Sequence, residues 1–241
     1  MTDANPATVN ADRAGVWEDF IDIFYAPAQV FTRRATASAW APLLVVTVAL
    51  SALVYVNSGV LESVMTAEFD RNMAAAMRSN PRLTPEILSQ SRQMILRVTQ
   101  FGGLFTPIGI WMVGSTVWLI GKLFEAKQSY RAAIMVSAYA FMPRILEAVV
   151  NGLQGLLLDP AGLDGHFRLS LGVGRFLDPD TVSPLLLALV GRIDVFTIWV
   201  TVLLAIGLSV TGGITRARAF MAAPLIWALG ALPLVFQALR S

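Results

Sequence analysis

The chain has 241 residues, 56% of them hydrophobic and only 14% charged, with a formal charge of +2. A soluble domain carries about 25% charged residues, so this composition specifies a polytopic membrane protein. The absence of cysteine excludes disulfides and thiolate chemistry, the single His166 leaves no histidine-rich metal site, and so small a charge does not suggest a nucleic-acid partner.

Residues 1–16 are polar, with Asp3, Asp12 and Arg13, and lack the apolar run of a signal peptide; a disordered tail is expected. A single five-span domain is expected over 17–241. It opens with an amphipathic helix. Trp17, Phe20, Ile21 and Phe24 fall on one stripe, with Glu18, Asp19 and Asp22 opposite, and Pro27 ends or bends the helix. The stripe suits the membrane interface, and it equally suits packing on the protein's own helices.

The first span is expected at 39–58, between Arg34 and Glu62. Leu61, Met65, Phe69, Met73 and Met77 then recur every fourth residue, and Asn80-Pro81 stops that helix. Thr84-Pro85-Glu86 spells a fresh helix start, followed by Ile87, Leu88, Met94, Ile95, Val98 and Phe101 at helical spacing. This predicts a helical hairpin outside the membrane over about 60–100, its two apolar stripes facing each other. The methionine row also fits a ligand groove, but core packing is favoured, because a helix pair must bury its stripes.

The second span, 102–122, is rich in glycine, which lets helices approach closely in lipid. The third, 132–158, carries Pro143, Arg144 and Glu147 in its middle. Pro143 predicts a kink. Arg144, Glu147, Asn151 and Gln154 form one polar stripe, and Arg144 and Glu147 are spaced to pair. Arg192 and Asp194 stand at the start of the fourth span, 194–212. Together these residues are an intramembrane polar cluster. Charges inside spans are costly and often functional. The stripe is therefore either a hydrophilic path, as in small transporters, or a self-satisfied network fixing helix register. The second reading is favoured, because a matched pair can satisfy itself.

The stretch 159–191 reads as a loop; Asp178, Asp180 and His166 match no calcium pattern there. A fifth span is expected at 219–238. The short segments bearing Arg33, Arg34, Lys122, Lys127, Arg131, Arg216 and Arg218 all fall on one side. By the positive-inside rule that side is cytoplasmic, which puts the N-terminus inside and the C-terminus outside, in a bacterial inner membrane.

Three segments resemble the Yip domain family, the Ypt/Rab-interacting-protein superfamily in its bacterial form. They are FYAPAQVF at 24–31, AYAFMPRIL at 138–146 and GLSVTGGITRARAF at 207–220. The resemblance implies a five-span fold and a membrane location more than a function. In eukaryotes the family is associated with Rab GTPases, vesicle traffic and membrane shaping, and its bacterial members have no agreed biochemical activity.

No zincin, Walker, nucleophile-elbow or dinucleotide motif is present, so an enzyme is not expected, and no cofactor is implied. The partners expected are the lipid bilayer and an unidentified membrane or peripheral protein; a homo-oligomer is also compatible. The favoured function is a scaffold organising membrane or partner proteins. The alternative is a small transporter or channel built round Arg144 and Glu147.

Overall fold

A computed structural model describes residues 15–79, 84–159 and 165–239. The expected disordered tail therefore lies outside the described residues, apart from Gly15 and the first helical residue, Val16. All regular elements described are helices: α1 (Val16–Asp22), α2 (Pro27–Arg34), α3 (Trp40–Val56), α4 (Ser58–Ser79), α5 (Pro85–Gln100), α6 (Thr106–Leu123), α7 (Tyr130–Ala140), α8 (Pro143–Leu157), α9 (Pro184–Val190), α10 (Val195–Gly212) and α11 (Arg216–Ala238), with short 3-10 turns between some of them.

Four stretches are long and apolar enough to cross a membrane: Gly102–Leu123, Tyr130–Leu157, Val195–Gly212 and Arg216–Ala238. A fifth arises if α3 and the first part of α4, bent by 75° at their junction, form one broken span. The protein is thus all-α with four to five candidate spans. Their surfaces expose Leu44, Val48, Trp111, Met112, Met221 and Leu225. Lipid covers such residues without the cost that water would impose.

The chain forms two compact units. The first comprises Met1–Val46, Pro107–Pro143 and Trp199–Leu229. Its centre is α7, whose residues from Ala132 to Ala140 are almost all buried, Ile134 excepted. Ser129 caps this helix, accepting a hydrogen bond from the Ala132 amide at 3.2 Å. Small residues let neighbours press against it. A Cβ added at Gly114 would lie 3.0 Å from the Ile134 Cα, and one at Gly207 would lie 2.2 Å from the Val136 side chain. Gly213, with φ +65°, supplies the left-handed residue that closes α10.

The second unit comprises Thr47–Thr106, Arg144–Ile198 and Gly230–Ser241. Here Asn57 donates to the Ala148 carbonyl at 3.2 Å, and α8 presents glycines to α3 and α4: Gly152 faces Asn57 and Gly155 faces Val60. Thr84 caps α5, with Pro85 at its first position.

The hairpin differs from expectation in one respect. The helices α4 and α5 lie side by side, joined by Arg92–Asp70 at 3.3 Å. Beside the expected row, on α4, lie contacts to the loop that follows α8: Val64 is buried with Leu169, and Glu68 accepts from the His166 amide at 2.7 Å. The stripe of α5, with Ile87, Met94, Val98 and Phe101, is left exposed.

Candidate functional site

Two polar networks stand inside the helical packing, one in each unit. In the first unit, Pro27 restarts the chain after the turn at Ile23–Ala26, and α2 returns alongside α1. That return brings Arg33 and Arg34 back to the acids of α1. The Asp19 side chain is 0% exposed and accepts from Arg33 at 2.6 Å and from Arg34 on its other oxygen. Arg33 also pairs with Asp22. Across the unit, the Tyr139 hydroxyl of α7 reaches the Asp19 carboxylate at 3.5 Å. A buried carboxylate is tolerable only when its oxygens are paired in this way.

Asp19 therefore does not lie on a solvated face, where helical spacing had set it with Glu18 and Asp22. The inward side of α1 and its following turn is Asp19 and Ile23, flanked by Phe20. The Phe20 ring packs against Tyr139, with centroids 6.0 Å apart, and Phe24 meets Trp199 edge-on at 5.6 Å. Trp17 and Ile21 point away, 76% and 64% exposed. The stripe read from sequence is thus divided between protein and surroundings.

Asp22 sits at the rim of this network. The hydroxyl of Tyr25 and then the guanidinium of Arg33 hold its carboxyl below the usual range. The sequence spelled the elements, a short acidic helix, a proline turn, then a short helix ending in two arginines, but not which acid the arginines take. A tyrosine inside an otherwise apolar span also needs a partner for its hydroxyl.

In the second unit, α8 begins at Pro143, whose missing amide costs nothing at a first helical position. The helix is interrupted just before it, at Phe141–Met142. One turn into α8, Arg144 pairs with Glu147 at 2.5 Å and donates to the Thr197 hydroxyl at 3.2 Å. Asp194 caps α10, one carboxylate oxygen accepting from the amides of Phe196 and Thr197 at 2.8 and 3.2 Å. Its other oxygen, and the Asn151 side-chain oxygen, are buried without a hydrogen-bond partner among the described residues. Gln154 donates to the Leu169 carbonyl at 2.7 Å. Of the six sequence-derived residues, Arg144 and Glu147 bond each other, Asp194 joins them through Thr197, Asn151 and Gln154 lie further along α8, and the Arg192 guanidinium lies against Gly230.

His166 ties its loop to α4, and Asp178 serves its own loop. His166 hydrogen-bonds Glu68, which raises the imidazole pKa. Asp178 accepts from the Asp180 amide at 2.9 Å in a side-chain turn.

Of the segments that carry the family resemblance, 24–31 meets α10 through Phe24 and Trp199, and 138–146 reaches Asp19 through Tyr139. The Yip1 domain model matches residues 21–237. The chain is also similar to membrane protein YknW of Bacillus subtilis (strain 168), 24% identical over 213 residues that cover 86% of this chain and 84% of that protein. No solved structure matches. With nearly its whole length matched, the chain belongs to the Yip1 domain family of membrane proteins.

Proposed function

We propose that this protein is a non-enzymatic Yip-type scaffold that organises membrane or partner proteins, and that its ionic networks hold the helices rather than carry a solute. The supporting observation is Asp19. It is the most buried acid described, and two arginines and a tyrosine engage both of its oxygens. A carboxylate held so is committed to structure. The Arg144–Glu147 pair, anchored on Thr197, supports the same reading.

On this reading the N-terminus is cytoplasmic and the C-terminus outside, in an inner membrane, as the basic short segments argue. Trp17, Ile21 and Tyr25, exposed on α1 and the turn after it, then lie at the lipid interface.

A second reading, a polar path past Arg144 and Glu147, draws on the unpaired oxygens of Asp194 and Asn151. One experiment separates the two. Arg144→Leu and Glu147→Leu should each destabilise the protein in detergent, and the double change should largely restore it, because only the single changes strand a charge. Normal folding of both single variants, with loss of a proton or solute flux in liposomes, would favour the path. Rescue of Arg144→Leu by Asp194→Leu alone would move the structural partner to Asp194.

A further inference from the structure

Along the α4–α5 hairpin run two adjoining open crevices, of about 200 and 510 Å³, with Glu62 and Leu96 lining both. The larger lies within the range of ligand sites, roughly 300–1,000 Å³. Their position fixes the depth at which a ligand would sit. Val54 belongs to the last turn of α3, and Gln100 ends α5 just before the span that starts at Gly102; both line the smaller crevice. Two apolar helices end there, which is the level of lipid headgroups.

The lining combines one acid with two guanidiniums. Glu62 and Arg97 border the smaller crevice, and Glu62 and Arg92 border the larger. Glu62 and Arg97 are exposed, and neither has an ion-pair partner among the described residues. Arg92 holds Asp70 at 3.3 Å, a long and exposed pair that leaves donors to spare. Hydroxyls of Ser63 and Thr66 complete the polar wall. An anion beside two cations complements a group that joins an ammonium to a phosphate.

The apolar side points to where such a group comes from. The exposed stripe of α5 ends at Phe101 and continues into Leu104 and Phe105, which are exposed and already within the next span. The medium that covers the span therefore covers α5 as well.

We infer that the α4–α5 crevice binds the headgroup of an aminophospholipid. Glu62 receives the ammonium, Arg92 and Arg97 receive the phosphate, and the acyl chains lie along the Met94–Phe101 stripe. This goes beyond the scaffold role and does not depend on it.

The test uses the full chain in mild detergent, titrated with dioleoyl phosphatidylethanolamine or phosphatidylglycerol, with retained lipid counted by native mass spectrometry. Phosphatidylethanolamine should be retained in preference. Glu62→Gln should reduce its retention relative to phosphatidylglycerol roughly two- to fivefold, the scale of a partly exposed ion pair. Arg97→Gln should weaken both lipids. Leu96→Trp, which fills the crevice without changing charge, should also expel both. Soluble phosphoethanolamine at equal concentration should not displace the lipid. Equal retention of the two lipids by the wild type, unchanged retention in all three variants, or displacement by the soluble headgroup would each overturn the inference.

Discussion

Asp19 shows what a single residue contributes when its partners arrive from two other helices. Its carboxylate is reached by Arg33 and Arg34 from α2 and by Tyr139 from α7, 120 residues away in sequence. Asp19→Asn keeps the shape but removes the charge, so that Arg33 keeps only Asp22 of its two acids and Arg34 loses its bond to the buried carboxylate. Loss of one partner of a buried pair costs about 3–5 kcal/mol. We expect a clear fall in the thermal midpoint in detergent, and a smaller one for Asp22→Asn at the rim. Equal effects of the two changes would contradict the central place given to Asp19. His166 makes a second residue-scale prediction, on pH. Its bond to Glu68 raises its pKa, so the contact stabilises fully below the ordinary histidine value of about 6.5 and is lost as pH rises through the raised value. Glu68→Gln should shift the His166 titration, followed by histidine proton NMR, to lower pH. An unmoved titration would show that the bond does not form in solution.

Among the elements, the close approach of helices to α7 rests on glycine. At Gly207 the added methyl would strike Val136, a stiff β-branched side chain, and at Gly114 it would meet Ile134, backbone included. Gly207→Ala should destabilise by about 1–3 kcal/mol, the usual cost of overpacking, measured by unfolding in detergent. Gly109→Ala, where the added Cβ meets nothing within 4 Å, is the control and should be near neutral. The apolar helices were legible in the sequence because twenty-residue apolar stretches have no soluble alternative. The cap at Thr84 was legible because its chemistry is local. The pairing of stripes in the hairpin was not. A stripe tells that a helix face is covered, not by what: the α5 stripe is largely exposed on the protein, and the buried Val64 of α4, outside the row, meets Leu169 from more than a hundred residues away.

At the scale of the whole molecule, the proposed topology rests on the basic short segments, and cysteines test it. Lys127→Cys, on an exposed link, and Ser241→Cys should label from opposite sides of the membrane. Labelling from one side would reduce the spans to an even number. The family was legible because its recognisable segments, 24–31, 138–146 and 207–220, are contiguous runs of sequence. The Asp19 network was not legible. Three acids on a short helix read as a wet face, and nothing local announces that two arginines fold back onto one of them. That network is the account's central claim: α1 and α2 are fastened to α7 by a buried charge, not merely laid on lipid. Hydrogen exchange of the full chain in nanodiscs tests it most directly. In the wild type, the amides of α1 and α2 should be protected alongside those of α7. Asp19→Asn should strip protection from residues 16–34 while the span 102–123 keeps its own. Unchanged protection over 16–34 in that variant would contradict the account and leave lipid as what holds these helices.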